Sequence, residues 1–144
     1  MLKRLFVVMV ATFALACSGD RLGIRIATDG TAFDRGSTPG GTVPLAGISY
    51  TVTNTGDKTV FLPACGASPM ATIERFNGAA WEQWSGSACI AILPMVPIDL
   101  RSDARIDGSV GISEAGRFRL RLSYADNGSM SPERLAYSNA FDVR

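Results

Sequence analysis

The chain is expected to fold as an all-β protein, an antiparallel sandwich of about eight short strands behind an N-terminal signal helix. Three observations carry that expectation. Residues 48–53 alternate strictly, with Ile48, Tyr50 and Val52 on one side and Ser49, Thr51 and Thr53 on the other; residues 117–124 repeat the pattern with Phe118, Leu120, Leu122 and Tyr124 against Arg117, Arg119 and Arg121. A period of two marks a strand with one dry and one wet face. Turn-forming clusters recur between such stretches at roughly ten-residue intervals, the spacing of a small sandwich. No long stretch repeats apolar residues at helical spacing, and there is no internal repeat.

At 144 residues, 47% of them hydrophobic, the chain has room for one domain and one core. The 15 glycines and 7 prolines suit many turns. Histidine is absent, which excludes Ser-His and Cys-His nucleophile pairs and histidine-ligated metal sites. The formal charge is +1, but Lys3 and Arg4 belong to the leader, so the rest of the chain is close to neutral. Such a balance lacks the electrostatic footprint of a nucleic-acid binder. No cofactor is expected, and the domain is expected to be a monomer.

Residues 1–4 form a short basic start and residues 5–16 an apolar run, the length of a signal h-region and well short of the ~20 residues that span a bilayer. Residues 1–16 therefore read as a secretory leader, 17–21 as a tether and 22–144 as the domain. Ala14-Leu15-Ala16 satisfies the small-x-small pattern of ordinary cleavage, and Cys17 follows directly. The run Phe13-Ala14-Leu15-Ala16-Cys17-Ser18 resembles the lipobox of bacterial lipoproteins, with a small residue before the cysteine and Ala14 where that family usually has leucine. The resemblance implies acylation of Cys17 and anchoring at the cell envelope by two or three acyl chains. Ser18, not aspartate, in the next position implies the outer membrane where there is one. Ordinary cleavage and free secretion is the alternative.

Three cysteines are an awkward number for an exported chain. If Cys17 carries lipid, Cys65 and Cys89 remain as a pair, and an oxidising compartment makes a disulfide between them the expected state. Closing that loop is worth about 3 kcal/mol. With no CxxC and no histidine, a metal site is disfavoured.

Along the domain, Leu22, Ile24 and Ile26 mark a first strand, and residues 34–41 a turn-rich loop. Residues 54–57 are expected to close a hairpin that returns through Val60 and Leu62 to Pro63. A second hairpin, residues 71–76 with 81–84, is expected to use a four-residue turn, which sets Phe76 opposite Trp81, Arg75 opposite Glu82 and Ile73 opposite Trp84. The odd separation of Trp81 and Trp84 places them on opposite faces, so they cannot form a flat sugar-stacking platform. Residues 90–96, broken by Pro94 and bounded by Pro97, read as an apolar strand or crossing segment. Ile106, Gly108, Val110 and Ile112 share one side of a further strand; Leu135, Tyr137, Phe141 and Val143 share a parity and read as one closing strand.

Arg117, Arg119 and Arg121 form a guanidinium stripe, a candidate surface for a carboxylate or phosphate partner and also an ordinary solvated face. Asp99, Asp103, Asp107 and Glu114 supply the acids for a carboxylate-dependent hydrolase, yet they fall on turns and outward strand positions. They form no aspartate-rich run able to wrap a calcium ion.

The hairpin Asn54-Thr55-Gly56-Asp57 with Val60, the Gly78…Trp81…Trp84 strand pair and Gly116-Arg117-Phe118-Arg119-Leu120-Arg121-Leu122 together resemble bacterial lipoproteins that carry an immunoglobulin-like β-sandwich domain. They are distantly similar to BsuPI-type proteinase-inhibitor domains. The resemblance runs from about Val43 to Arg144 and implies a fold; no inhibitory residue carries over, and fold alone names no ligand. The reading is a non-enzymatic, membrane-anchored envelope protein whose domain contacts an envelope protein partner or serves as a structural module. A small secreted carbohydrate-binding or hydrolase domain is the alternative.

Overall fold

The computed structural model describes residues 23–36, 44–86 and 96–144. The expected leader, Cys17, the tether, Leu22, most of the loop over 34–41, and Cys89 with most of the apolar run after it lie outside the described residues. In chain order the strands are β1 (Ile24–Thr28), β2 (Ala32–Phe33), β3 (Ala46–Asn54), β4 (Val60–Leu62), β5 (Ala64–Cys65), β6 (Ser68–Pro69), β7 (Thr72–Phe76), β8 (Trp81–Gly86), β9 (Ile98–Leu100), β10 (Arg105–Ile112), β11 (Gly116–Tyr124), β12 (Arg134–Tyr137) and β13 (Phe141–Val143). No helix occurs among the described residues.

Two sheets dominate. One has the order β1-β3-β10, the other β2-β13-β11-β7-β8, with β12 also on β11. Pairing is antiparallel except for β2 on β13 and the bridge Ile26 to Ser138. The architecture is an all-β, immunoglobulin-like sandwich. β3 and β11, nine residues each, lie inside their sheets and turn their apolar residues toward each other. Ile48, Val52, Phe118, Leu120 and Leu122 are fully buried. Phe118 stacks on Phe141 at 6.3 Å and meets the edge of Trp84 at 5.5 Å, while Phe33 closes one end against Phe141. Arg75 caps this end, its guanidinium 5.9 Å from the Phe118 ring and 2.9 Å from Glu114.

The first expected hairpin is not one. Strand β3 ends at Asn54 as the alternation implies, but β4 pairs with β9, and Phe61 bridges to Ala125 just beyond β11. The chain therefore crosses between the sheets. Asn54, wholly buried, makes the crossing: its Nδ2 donates to the carbonyls of Lys58 (2.7 Å) and Leu100 (2.9 Å), and its Oδ1 accepts from the Gly56 amide at 2.9 Å. An asparagine that satisfies the backbone around it substitutes for the missing ladder.

The second hairpin has the expected turn and two of the three expected pairs, Phe76 with Trp81 and Arg75 with Glu82. Asn77 Oδ1 holds the turn by accepting from the amides of Ala79 and Ala80. The third pair fails, because a bulge sets Ile73 opposite Ser85 and leaves Trp84 as the extra residue. Trp84 packs inward on Phe118, whereas Trp81 lies outward beside Arg119, so the two indoles do occupy opposite faces.

The closing strand is likewise two. Arg121 pairs with Tyr137 but Phe118 with Phe141, so three steps along β11 match four along the run from β12 to β13. The surplus residue lies at the Ser138 break, where Ser138 exchanges bonds with Leu120, donating its amide to the carbonyl and accepting the amide on Oγ. Parity inverts there. Leu135 and Tyr137 are therefore 50% and 44% exposed, while Phe141 and Val143 are buried and Ala136 takes the inward position in β12.

In the first sheet Gly108 faces Tyr50 across the pair β10–β3. A Cβ there would stand 2.4 Å from the ring, whose hydroxyl donates to the Pro69 carbonyl at 3.0 Å. Gly108→Ala is expected to destabilise the domain by about 2–3 kcal/mol through overpacking. Gly47→Ala, in the same strand pair with open space around it, should change stability by less than ~0.5 kcal/mol, and chemical denaturation of both variants checks the contrast. Burial pushes the Tyr50 hydroxyl up from 10.0 to about 12. The folded state then holds its proton where the unfolded chain has lost it, so the contribution of this group to stability should be unchanged below pH 10 and fall between pH 10 and 12. Tyr50→Phe should flatten this fall in a denaturation series over that range.

Candidate functional site

The outer face of the second sheet carries the most organised polar cluster among the described residues. β7 contributes Glu74, β8 Trp81 and Gln83, β11 its arginines, and β12 Tyr137 and Leu135; the registers Arg119 to Glu74, Glu74 to Gln83 and Arg121 to Tyr137 bring them together. Outward positions normally meet water, yet Glu74 is only 5% exposed. Arg119 donates through Nε to its Oε2 at 2.7 Å, Arg121 approaches Oε1 at 3.1 Å, and Arg121 also reaches Gln83 at 3.3 Å. Two cations around one covered carboxylate offset the cost of removing it from water.

Arg119 is held on its faces as well as its edge. Its guanidinium carbon lies 4.5 Å from the Trp81 ring centre and 4.2 Å from that of Tyr137. Trp81 is in turn packed on Phe76 at 5.3 Å. Contacts of this kind are worth about 0.5–2 kcal/mol each and fix a side chain that would otherwise sample many rotamers. Arg117 is exposed at the end of the stripe, across the ladder from Asp142. Three guanidinium groups thus accompany two carboxylates, so the face is net positive and rigid at its centre.

The arginine stripe expected from the alternation exists, and all three residues share the face. It is not a row of loose cations, since Arg119 and Arg121 are already engaged. Glu74, Gln83 and Tyr137 were missed as members. Glu74 could have been found from Thr-Ile-Glu-Arg-Phe, which puts a lone acid at an outward position of a strand; Tyr137 shares the parity of Phe141 and Val143 in the sequence, and the break at Ser138 that separates them carries no sequence signal. The acids do not converge. Asp107 accepts a hydrogen bond from Thr51 at 2.7 Å, Glu114 pairs with Arg75, Asp103 sits in a turn at φ 59°, and Asp99 lies on β9. No group of three or more metal-ligating side chains occurs among the described residues. The Cys65 sulfur is bonded and is not a free thiol, and both other cysteines lie outside the described residues.

No family model matches the chain, and no curated protein matches it. Solved structures show distant likeness. A structural-genomics target, SoR45, is 15% identical with a TM-score of 0.41, over 85% of this chain and 84% of its own. The PapD-like domain 7 of human CEP192 is 9% identical at 0.40, over 99% and 96%. The alkylpurine DNA glycosylase AlkC of Pseudomonas fluorescens is 12% identical at 0.38, and the matched region spans 84% of this chain but 30% of that enzyme. At these scores none of them carries an argument about activity, and the architecture rests on the strand pairing itself.

Removing the central carboxylate tests the cluster. Glu74→Ala leaves Arg119 and Arg121 facing each other without their counter-ion and is expected to cost about 2–3 kcal/mol, less than the ~3–5 kcal/mol of a fully buried broken pair because both arginines are a quarter or more exposed. Tyr137→Ala should cost about 1 kcal/mol, from the lost ring contact with Arg119. Urea denaturation of both variants gives the comparison.

Proposed function

We propose that the chain is a non-enzymatic, exported envelope protein, anchored by acylated Cys17, whose immunoglobulin-like domain binds another envelope protein through the arginine-aromatic face of its second sheet. The single observation behind the binding role is Arg119, clamped between Trp81 and Tyr137 over a covered Glu74 on a face that a purely structural sandwich would leave loosely solvated. Tryptophan, tyrosine and arginine are the residues that dominate protein interfaces, and a side chain already immobilised loses little entropy on binding. The exposed Leu135 and Tyr137 add apolar surface beside it. The net positive charge favours a partner surface with carboxylates.

The leader pattern, the small residue before Cys17 and the odd cysteine count support the anchor, and on the same arithmetic Cys89 is the partner of Cys65. The scattered acids give no support to a hydrolase.

Mass spectrometry of the intact chain extracted from membranes should show Cys17 as an acylated N-terminus and no thiol reactive before reduction. An unmodified Cys17 would remove the anchor, and two reactive thiols the bridge. For the binding face, the partner recovered by envelope cross-linking should lose about tenfold or more in affinity, ~1.4 kcal/mol, with Arg117→Glu and with Leu135→Glu. Ser49→Asp, on the outer face of the other sheet, should leave it unchanged. Equal loss from all three, or from none, would sink the assignment of this face.

A further inference from the structure

The point at which the chain enters the sandwich is fixed. The carbonyl of Gly23, where the described chain begins, accepts from the Thr55 amide at 3.0 Å, directly after β3 ends. The turn from β9 to β10 is pinned to the same place. The Asn54 amide donates to the Ala104 carbonyl and the Asp103 amide to that of Asn54, both at 3.0 Å, while the Ser102 hydroxyl donates to the Gly56 carbonyl at 2.7 Å. From Cys17 to Gly23 is six steps of chain, which fully extended span about 20 Å at most. Strand β3 alone, with nine residues, is about 30 Å long. An anchor at Cys17 therefore holds this end of the first sheet near the bilayer, and the far end, at Ala46 and Ile112, cannot meet it first.

The same end carries cations that the fold leaves unspent. Arg25 and Arg105 sit opposite Thr53 from either side, on the outer face of the first sheet, and Arg101 opens the turn beside them. These three arginines are exposed, and among the described residues none of them makes an ion pair or a side-chain hydrogen bond. In contrast, Arg119 and Arg121 are engaged by Glu74, Arg75 by Glu114, and Arg35, at the far end, by the carbonyls of Arg144 and Ser113. With Lys58, four cations stand against Asp57 and Asp103 at the tethered end. Further along the same face the sign reverses, with Asp107 opposite Thr51 and Asp29 across the depression that Thr51 and Ser109 line. The loop between β11 and β12, at this end of the other sheet, holds Asp126, Glu133 and Arg134 and has no positive excess.

We propose that the tethered end of the first sheet docks on the anionic phospholipid surface that holds the Cys17 acyl chains, through Arg25, Arg101 and Arg105. The inference rests on the anchor proposed above. Phosphate headgroups supply the counter-ions these guanidinium groups lack, and each basic residue close to such a surface favours the docked state about fivefold. The reach of the surface is short, because its potential falls off within about 8 Å at physiological salt, so only groups gathered at one end act together. Asp29 and Asp107 oppose lying flat on the outer face of the first sheet, and the acids of the β11–β12 loop oppose leaning onto the second. End-on docking leaves the arginine-aromatic face turned sideways, open to a partner.

The test uses the isotope-labelled chain, extracted from membranes with its anchor and set in lipid nanodiscs whose phospholipid headgroups carry a nitroxide. In discs containing phosphatidylglycerol, amide signals are expected to broaden strongly at residues 25 and 101–105 and weakly at 46–47 and 111–114. Arg25→Gln and Arg105→Gln should each lower the docked-to-undocked ratio about fivefold, and discs of phosphatidylcholine alone should lower it further. The lipid comparison needs no variant, so it decides even where a substitution disturbs the fold. Equal broadening in the two lipids, or unchanged broadening in the variant carrying both substitutions, overturns the proposal, because the tether alone would then hold the domain. Strongest broadening on another face, such as residues 135–137, overturns it as well. Mass spectrometry of the same sample separates this result from the anchor: an acylated Cys17 with charge-independent broadening sinks the docking alone, whereas an unmodified Cys17 sinks both.

Discussion

The facing of β3 and β11 is the constraint on which the rest of the molecule depends. Each is nine residues long, each lies inside its sheet, and each presents an apolar residue at every second position. Their inward rows can leave water only against one another, and at roughly 25 cal/mol per Å² of apolar surface buried this is the main stabilising term in a domain of such size. Everything else is placed relative to that contact. Gly108 is small because Tyr50 needs the space, Trp84 is bulged inward because Phe118 lies beneath it, and Arg75 closes the end of the layer because its guanidinium finds both Phe118 and Glu114 there.

The same alternation that builds the core assigns the outer face, and it explains why the polar cluster there is unusual. An outward glutamate on a central strand would ordinarily be hydrated. Glu74 instead lies beneath two arginines from the neighbouring strand, with rings from β8 and β12 on either side of one of them. Desolvating three charges is costly, and the cost is offset by mutual hydrogen bonding and by ring stacking. A solvated face would not hold a guanidinium in one place; this one does, which is why we read it as prepared for contact.

The two sides of the sandwich show a second asymmetry with a physical cause. Where β1 meets the irregular stretch between β12 and β13, side chains of Asn139 and Thr28 satisfy the edge groups. Along β10 the ladder to β3 is regular, and β6 packs beside it without joining its sheet. The Asn54 crossing sends β4 away from β3 to pair with β9, which leaves the place beside β3 to β10.

Residue pattern alone determined that the fold is all-β, that residues 48–53 and 117–124 are strands with known inner and outer faces, that Asn77 heads a four-residue turn, and that Trp81 and Trp84 point apart. These are local properties, set by a period of two and by turn chemistry within a few residues. Which strands pair was decided only in three dimensions. Asn54 looks like a hairpin residue until its amide is seen to bond Leu100, Leu135 and Tyr137 look buried until the bonds of Ser138 to Leu120 invert their parity, and Glu74 looks solvated until Arg119 and Arg121 close over it. In each case the deciding partner lies far away in sequence, and a single-residue shift of register exchanges inside for outside, so the outcome rests on packing that no local pattern records.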